Sequence, residues 1–397
     1  MEIIRDGSRH KAELSPQKAG IRRFNTARCK RSLLQEGHFP IVARTVPKED
    51  DMLRCLTAGE SHGKGILAIL EGMPAGLQVD SALINRELKR RQAGFGRGKR
   101  MRIEKDRAQI ISGLKNNRTL GSPVTLFIQN KDFSIERLAR VISPRPGHAD
   151  LSGFLKYGFS DIREVLERAS ARSTVASVGV GALCKILLAE FGIGIVSRVL
   201  SVGGEATPAG IKERITEAMR NKDTVGGIFE VSASKVPPGL GSYAQADRRL
   251  DGRLAGALMS IPGIKAVEIG LGLGYAVSLG SEVHDAIYYS KAKGYFRQTN
   301  NAGGLEGGIS NGEDIVLRCC MKPISTLMRP LDSVNILNKR PAKAAVERSD
   351  VCVVQAAGVV AEAQAAFVLA DAFLEKFGSD NLSDIKRAYQ NYIKRIR

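Results

Sequence analysis

A glycine-rich turn near the start of the well-patterned part of the chain places a serine next to a histidine. Residues 57–65 read TAGESHGKG, and residues 59–63 have the Gly-x-Ser-x-Gly spacing of a hydrolase nucleophile elbow. An elbow serine needs an earlier strand that supplies the oxyanion loop and a helix directly after the serine. Here Ser61 follows the first predicted strand, and the next segment, GILAILE, reads as a second strand. The spacing therefore predicts a hairpin-type turn that presents Ser61 and His62.

The lysine of this turn does not complete a P-loop. That motif needs four residues between its glycines and a hydroxyl residue after the lysine. Three residues separate Gly59 from Gly63, and Gly65 follows Lys64. Taken alone, the segment fits either an acid–base turn or an ordinary surface-loop histidine.

Three of the five histidines lie beyond the first 51 residues: His62, His148 and His284. His148 belongs to the segment SPRPGHAD, where two prolines and a glycine restrict the backbone and preorganise the loop. An imidazole beside Arg145 is chemically able to donate a proton to an anionic ligand, although the pattern also fits a hydrogen-bonded loop histidine. His284, in the segment EVHD, is typical of a polar turn.

Basic residues are concentrated between positions 89 and 107, where nine Lys or Arg stand against Glu104 and Asp106. Glycines at 94, 96 and 98 would allow the arginines to close over a phosphate group. Sites for single-stranded RNA stack bases on interleaved aromatic side chains, and this run contains only Phe95. A phosphate site, a solvated face and an RNA-binding face all remain open.

Other segments also offer groups that bind anions. Arg168 and Arg172 are four residues apart and would share one face near the start of a helix, where free N–H groups attract anions. Residues 322–326 (KPIST) follow a predicted strand and combine a cation with hydroxyl donors. Asp350 precedes a long apolar segment, where it would ordinarily be a helix N-cap. Without a metal-ligand cluster or a triad, these loops predict a site for phosphorylated small molecules.

The elements that must position these loops alternate between strands and helices from residue 52 onward. Apolar alternation predicts strands at 52–58, 65–70, 108–112, 123–129, 193–202, 227–234, 266–269 and 314–321. Helical periodicity predicts helices at 81–92, 161–191, 207–221, 246–260, 342–376 and 383–396. Small residues recur on all sides of the helices at 161–191 and 342–376, which is typical of helices buried between layers. We therefore expect long central helices covered by sheets in a single domain.

Composition limits the class of protein. The chain has 397 residues, 43% of them hydrophobic, and a formal net charge of +19, which favours anionic partners such as nucleic acid, membrane surfaces or phosphorylated metabolites. Six cysteines without CxxC spacing predict reduced thiols in a cytoplasmic protein. No segment reaches the roughly 18 consecutive apolar residues of a membrane span.

Residues 1–51 differ from the rest of the chain. They are polar and irregular, with 11 Lys or Arg and seven Asp or Glu. This composition predicts an irregular basic extension that is disordered or precedes the native start, with the catalytic domain at 52–397. The seven acidic residues argue against an organelle transit peptide, because such peptides are poor in acidic residues.

Six ordered blocks between residue 52 and about residue 377 resemble the chorismate synthase family. They are GESHG (59–63), RPGHAD (145–150), RASARST (168–174), NNAGGLEGGISNG (300–312), KPISTL (322–327) and RSDVCVV (348–354). The resemblance implies a 1,4-anti elimination of phosphate and a C6 proton from 5-enolpyruvylshikimate 3-phosphate. The product is chorismate, at the last step of the shikimate pathway to aromatic amino acids. The family uses reduced FMN (FMNH2) without net redox change, with NADPH as a source of reducing equivalents.

The resemblance also implies roles for particular residues. His62 would protonate the departing phosphate with Ser61 beside it, His148 would be the proton partner of the reduced flavin ring, and Asp350 would assist deprotonation at flavin N5. The implied FMN contacts are Ser170, Ala171, Arg172, Gly307, Gly308, Lys322, Pro323, Ile324, Ser325, Thr326 and Arg348. The arginines implied to bind phosphate or other anionic groups of substrate or NADPH are Arg91, Arg97 and Arg145. No metal is implied.

The implied architecture is α/β (α+β): a β-α-β sandwich with long, small-residue-rich central helices between two mainly antiparallel sheets. The family assembles as a homotetramer in the cytoplasm and acts on a small molecule, with a separate flavin reductase where the enzyme does not reduce its own flavin. Neither nucleic acid nor a membrane is an implied partner. One departure is Pro262-Gly263, where many members have a polar residue followed by a small one. The alternative from another class is a basic RNA-binding protein, favoured by the +19 charge.

Overall fold

The computed structural model describes residues 52–98, 105–347 and 349–396. The extension predicted at 1–51, the centre of the basic run and Arg348 lie outside these ranges. Within them the strands are β1 (Arg54–Ala58), β2 (Gly65–Glu71), β3 (Ala108–Ser112), β4 (Leu114–Lys115), β5 (Arg118–Thr119), β6 (Val124–Gln129), β7 (Gly194–Val202), β8 (Gly227–Ser234), β9 (Ile264–Ile269), β10 (Ile287–Ser290), β11 (Gly294–Arg297), β12 (Leu305–Glu306), β13 (Ile309–Ser310), β14 (Ile315–Met321), β15 (Asp332–Val334) and β16 (Pro341–Lys343).

The helices of the same residues connect and separate these strands. They are α1 (Ser81–Gln92), α2 (Asp150–Tyr157), α3 (Arg163–Ala169), α4 (Thr174–Ala189), α5 (Pro208–Arg220), α6 (Leu250–Met259), α7 (Gly280–Val283), α8 (Val354–Phe377) and α9 (Leu382–Ile396). Short 3₁₀ turns occur at Ile135–Arg137, Ala171–Ser173, Ala246–Arg248 and Gly272–Val277.

Two four-stranded antiparallel sheets form the outer layers. The first sheet has the order β1-β2-β6-β3, and the second has the order β7-β8-β14-β9. Strand β2 shows why one face of the first sheet is buried: Ile66, Ala68 and Leu70 are buried, whereas Leu67 and Ile69 between them are exposed. Because successive side chains in a strand point to opposite faces, this alternation directs one face of the sheet towards the helices.

The helices α4 and α8 lie between the sheets and pack against each other. Helix α4 contacts β2 and β6 of the first sheet, while α8 contacts β7 and β8 of the second. A Cβ atom on Gly181 of α4 would lie 2.3 Å from Cβ of Ala363 in α8, so this contact requires a glycine. The β-α-β sandwich with small-residue central helices is therefore confirmed, and its cause is close helix approach through Gly and Ala.

Two stretches that contain these core helices are long and apolar enough to cross a membrane if length and composition alone are considered. The stretches Arg163–Ala189 and Val354–Phe377 meet that test, but most of each is buried inside the protein. The described cysteines form no disulfide. Cys319 is buried and Cys320 is exposed, as expected of adjacent residues in a strand.

The structure corrects two predicted helices. The segment 161–191 breaks at Ser170, whose extended backbone (φ −65°, ψ 141°) separates α3 from the 3₁₀ turn before α4. The segment 342–376 becomes helical only at Val354, because residues 341–343 pair as β16 with β15. Helices α2 and α7, the small hairpins and the β15–β16 pair lack a strong periodic signal and were not predicted.

Candidate active site

Asn130, directly after β6, organises the turn between β1 and β2. Its side-chain nitrogen lies 3.1, 3.3 and 2.8 Å from the carbonyl oxygens of Glu60, Ser61 and Gly63. Gly59 has a φ of +105°, and a Cβ there would lie 2.2 Å from the carbonyl oxygen of Gly65, so only glycine fits. The hairpin-type turn is confirmed. Because β2 follows it instead of a helix, it is not a nucleophile elbow.

His62 is held by a single buried carboxylate from α3. The Nδ1 atom of His62 lies 2.8 Å from Oε1 of Glu167, and its backbone N–H donates to Oε2 at 2.7 Å. The side chain of Glu167 is only 5% exposed. Burial by itself would raise the pKa of Glu167, but hydrogen bonds from the ring and backbone of His62 outweigh it and lower that pKa.

Ser61 connects the turn to the residue at which the predicted long helix breaks. Its hydroxyl lies 3.1 Å from the hydroxyl of Ser170, and its side chain is buried. The Ser170 hydroxyl also accepts a hydrogen bond from the backbone N–H of Arg172. The predicted pair Ser61 and Ser170 is therefore brought together next to His62.

Two buried arginines meet at Asp106 behind this turn. Arg172 donates from Nε to Asn130 at 2.8 Å and from Nη1 to Asp106 at 2.6 Å. Arg91, at the end of α1, donates to the carbonyl oxygen of Ala171 at 2.9 Å, and its Nη1 lies 3.4 Å from Asp106. Burial lowers the pKa of Arg91 to about 10, against the attraction of Asp106. The Nη2 atom of Arg172 is buried without a partner among the described residues.

Asp350 faces the glycine-rich loop after α1 and does not cap a helix. Its carboxylate accepts hydrogen bonds from the backbone N–H of Gly98 and pairs with Nη1 of Arg97 at 2.8 Å. Helix α8 begins at Val354, four residues later, with Val353 at its N-cap, so the N-cap prediction for Asp350 was wrong. Burial lowers the pKa of Arg97, and Nε of Arg97 is buried without a partner in the described part of the chain.

A second cluster forms around Asp150 at the start of α2. Asp150 is fully buried and accepts hydrogen bonds from the backbone N–H and Nε of Arg145 at 3.0 and 2.8 Å. The Nδ1 atom of His148 lies 2.5 Å from Oδ1 of the same carboxylate. Burial alone would raise the pKa of Asp150, but the hydrogen bonds from His148 and Arg145 hold it well below its usual range. Arg145 also donates to the hydroxyl of Thr326 at 2.7 Å.

The segment 322–326 packs against the His148 loop. The carbonyl oxygen of Gly147 accepts hydrogen bonds from Nζ of Lys322 and from the hydroxyl of Ser325, the latter at 2.6 Å. Burial and the nearby Lys265 lower the pKa of Lys322. The backbone N–H of Lys322 also donates to the carbonyl oxygen of Gly263 at 2.9 Å, so the unusual Pro262-Gly263 pair lies beside this segment.

The loop between α5 and β8 links this segment to that of Asp350. Thr224 donates to the carbonyl oxygen of Ile324 at 2.7 Å, and Val225 donates to that of Val351 at 3.0 Å. The 322–326 segment, which includes Pro323, therefore contacts the His148 loop directly and is linked to the Asp350 loop through Thr224 and Val225.

Other residues singled out from the sequence have different surroundings. Gly307 and Gly308 form the tight turn between β12 and β13, with φ values of +58° and +87°. The β12–β13 hairpin comes before the start of β14, and Lys322 comes after its end. These two ends are about 23 Å apart, the length of a seven-residue strand. Arg168 is exposed and donates to the carbonyl oxygens of Thr57 and Gly59, so it does not share a helix face with Arg172. His284 is exposed, as expected of a polar turn.

The carboxylates and amide that hold these side chains had no assigned role at the level of sequence. They are Glu167, Asp106, Asp150 and Asn130. Asp150 lies inside the block RPGHAD and Glu167 directly precedes RASARST, so adjacency to a matched block was the available signal. For Asn130 and Asp106 we find no local signal, because their partners lie 42 and 66 residues away at Arg172.

The arrangement has two histidines, each paired with a buried carboxylate, and buried arginines with unpaired nitrogen atoms. Among the described residues no cluster of His, Cys, Asp and Glu could hold a metal ion. The paired histidines supply acid–base groups, and the arginines supply charge-assisted donors for anions. Fold and site together define an α/β protein whose side chains are suited to acid–base chemistry on an anionic small molecule.

Comparison with known proteins identifies the family. The profile of the chorismate synthase family matches residues 53–374. The chorismate synthase of Caldanaerobacter subterraneus subsp. tengcongensis is 52% identical over 348 residues, covering 87% of this chain and 99% of that protein. That of Aquifex aeolicus is 49% identical, with 87% and 98% covered. A crystal structure of chorismate synthase matches with a TM-score of 0.72 at 44% identity, with 87% and 98% covered. The chain belongs to the chorismate synthase family, whose members are lyases.

Proposed function

We propose that the chain, through a catalytic domain at residues 52–397, eliminates phosphate from 5-enolpyruvylshikimate 3-phosphate to give chorismate. This 1,4-anti elimination is the last step of the shikimate pathway to aromatic amino acids, and it needs reduced FMN without net redox change. The observation that carries the proposal is that Asn130 and Ser170 link the turn of Ser61 and His62 to the buried arginine cluster of Arg91 and Arg172. A leaving phosphate bound by that cluster would lie next to a proton donor.

Arg97 and Arg172 have hydrogen-bond donors that are not used in their ion pairs within the protein. The nitrogen atoms Nη2 of Arg172 and Nε of Arg97 are buried and unpaired among the described residues. A buried polar group without a partner is costly, so an anion that accepts hydrogen bonds from these atoms would be stabilised. Substrate and FMN both carry phosphate, so the donor set fits these ligands.

The two histidines would hold protons at different places. Since Nδ1 of His62 faces Glu167, the proton for the departing phosphate is held at Nε2. In the same way Asp150 engages Nδ1 of His148, so Nε2 of that ring, 3.4 Å from Nη2 of Arg145, would be the atom that exchanges a proton with the anionic cofactor. Asp350, with its carboxylate fixed by Arg97 and Gly98, would accept a proton and so assist deprotonation at flavin N5.

The residues around the 322–326 segment fit the phosphate end of FMN. Lys322, Ser325 and Thr326 present an ammonium group and two hydroxyls, and Gly147 leaves room beside them, since a Cβ there would lie 3.4 Å from Nζ of Lys322. Reduced FMN supplies transient electron donation to the substrate when bound. NADPH is the proposed source of reducing equivalents, used by this chain or by a separate flavin reductase.

The alternative of an RNA-binding protein is disfavoured by where the basic residues point. Arg90 pairs with Glu362 at 2.6 Å, Arg91 with Asp106 at 3.4 Å and Arg97 with Asp350 at 2.8 Å. The side chains of Arg91 and Arg97 are largely buried, whereas that of Arg90 is 38% exposed and pairs with a fully buried glutamate. A backbone-binding surface for RNA requires exposed cations instead.

Phosphate release is the direct test of the proposal. Under anaerobic conditions with reduced FMN, the purified protein should release inorganic phosphate from 5-enolpyruvylshikimate 3-phosphate, and oxidised FMN alone should not support release. A parallel reaction with oxidised FMN and NADPH shows whether the chain reduces its own flavin. Absence of release by folded protein, together with salt-dependent affinity for RNA and no flavin binding, would favour the RNA-binding alternative.

We further propose that the protein acts as a homotetramer in the cytoplasm. The segment 272–297 exposes a concentration of apolar side chains, including Leu273 (80% exposed), Val277 (89%) and Tyr295 (74%). Large apolar side chains left this exposed are typical of surfaces that bind other protein chains. The second sheet also carries a row of side chains with alternating charge. Glu230 lies between Arg198 and Arg318, and Arg318 also approaches Glu268.

Replacing Leu273 and Val277 together with aspartate should weaken the assembly. Both side chains are exposed in one chain, so the free energy of unfolding of the protomer should change little, whereas burial of two carboxylates in an interface is strongly unfavourable. Analytical ultracentrifugation should show a tetramer for the wild type and smaller species for the variant. Leu337→Asp, at another exposed leucine, is the control and should leave the tetramer intact. A monomeric wild type, or an unchanged variant, would contradict the proposal.

A further inference from the structure

One carboxylate contacts both the ring and the backbone of His62. Oε1 of Glu167 lies 2.8 Å from Nδ1 of the imidazole, and Oε2 accepts the backbone N–H of the same residue at 2.7 Å. Glu167 itself is fixed from the other side, since its carbonyl oxygen accepts the N–H of Ser61 at 2.9 Å. Glu167, in the last turn of α3, thus holds the consecutive residues Ser61 and His62 by hydrogen bonds.

We infer that Glu167 is a positioning residue for the reaction, which fixes the orientation and the tautomer of His62. The inference rests on the proposed role of His62 as the proton donor to the leaving phosphate. An ionised carboxylate only accepts hydrogen bonds, so Nδ1 must carry a hydrogen when it faces Glu167. The other proton of the charged ring is then located at Nε2, on the opposite side of the imidazole from the helix.

The surroundings of Glu167 keep it in the ionised form that this role requires. Hydrogen bonds from His62 and the positive charge of Arg163 outweigh burial and lower the pKa of the carboxyl group. His62 must be an imidazolium before it can donate a proton, and in that form its Nδ1–H donates to the ionised carboxylate across the 2.8 Å contact. In a hydrolase triad a carboxylate likewise orients the catalytic histidine and fixes its tautomer. There the histidine first acts as a base, whereas His62 would act as an acid.

A purely structural role is the alternative, because the same carboxylate also pins the backbone of the turn. Glu167→Gln separates the two roles at nearly constant volume. The glutamine amide has one oxygen to accept hydrogen bonds from two donors, the ring Nδ1–H and the backbone N–H of His62. Its NH2 group would therefore face one of these donors and lose that hydrogen bond. Glu164→Gln is the matched control, since it removes the same charge from an exposed position one turn earlier on α3.

The first measurement is the ¹⁵N NMR spectrum of histidine-labelled protein. In the wild type the neutral His62 ring should carry its hydrogen on Nδ1, and this preference should be lost in Glu167→Gln and retained in Glu164→Gln. A wild-type ring protonated on Nε2 alone would overturn the inference, whether or not the variant folds. This measurement does not depend on enzymatic activity.

The second measurement is turnover. Glu167→Gln should lower kcat by about 10- to 100-fold, part of the 10²–10⁴-fold that general acid–base catalysis contributes, with little change in KM. In a His62→Gln background the same change should cause no further loss, because Glu167 acts through His62. An equal loss in both backgrounds, or unchanged kcat with an altered tautomer, would overturn the inference. Lack of phosphate release by the wild type would instead count against the proposed function, and the tautomer would still be measured.

Discussion

His62→Gln should lower turnover by about 10²- to 10⁴-fold, the usual contribution of a positioned general acid. Glutamine has similar length and can donate an N–H to Glu167 in place of Nδ1, so the buried carboxylate keeps a partner. Its amide cannot deliver a proton at neutral pH, however. The leaving phosphate would then depart without protonation, while the arginines and the 322–326 segment remain in place.

The loss should therefore fall on kcat and leave FMN binding close to that of the wild type. Phosphate release under anaerobic conditions measures the first quantity, and flavin fluorescence on titration with the protein measures the second. His284→Gln is the control, because it makes the same exchange at an exposed histidine in a polar turn. If His62→Gln retained more than about a tenth of wild-type turnover, the assignment of His62 as the general acid would be wrong.

The sandwich itself was predictable from local pattern. Alternation in segments such as GILAILE located the strands of both main sheets, and recurring Gly and Ala indicated helices in close contact, as Gly181 and Ala363 show. These signals are local and strong because each element buries one face or, for α4 and α8, nearly all of its surface. Burial of this kind leaves a periodic record in the sequence.

Element boundaries near the site were less predictable, because tertiary contacts decide them. The helical pattern runs without interruption through Ser170, yet the chain is extended there and its hydroxyl caps the following turn through Arg172. Asp350 has the residue type of an N-cap, but it accepts hydrogen bonds from the loop after α1, and the helix starts later. In both cases partners distant in the chain override local propensity.

In the site, too, local features were predictable from sequence and contacts between distant residues were not. His62 and His148 stood out by residue type and spacing, whereas Glu167, 105 residues from His62, could be assigned only from the structure. Asp150 is two residues from His148, but sequence does not indicate which way a carboxylate points. Pairings between distant segments leave no trace in a single sequence, so the groups that tune the histidines appear only once the fold is known.

Asp150→Asn should lower the free energy of unfolding at pH 7 by about 3–5 kcal/mol, the usual cost of removing one partner from a buried ion pair. The variant leaves the guanidinium of Arg145 buried without a counter-charge, and Arg145 is only 6% exposed. The new NH2 group would also face donors on Arg145 or His148, since four donors now converge on this carboxylate. Loss of orientation at His148 should lower turnover as well.

The effect should depend on pH with a definite sign. The folded-state pKa of Asp150 is held well below its usual range, whereas an unfolded aspartate titrates near 3.9. The stabilisation is therefore fully present above about pH 4 and is lost as the pH falls from there towards the folded-state pKa. The difference in unfolding free energy between wild type and Asp150→Asn should accordingly be constant near neutral pH and shrink in acid.

Urea unfolding from pH 7 to the lowest pH at which both proteins remain folded measures this difference. Asp332→Asn is the matched control, because Asp332 forms an ion pair with Lys343 but is 90% exposed, and exposed pairs contribute only about 0–1 kcal/mol. Its effect should be small and nearly independent of pH. A loss below about 1 kcal/mol for Asp150→Asn, or a difference that grows in acid, would mean that Asp150 does not hold the His148 loop as an ionised carboxylate.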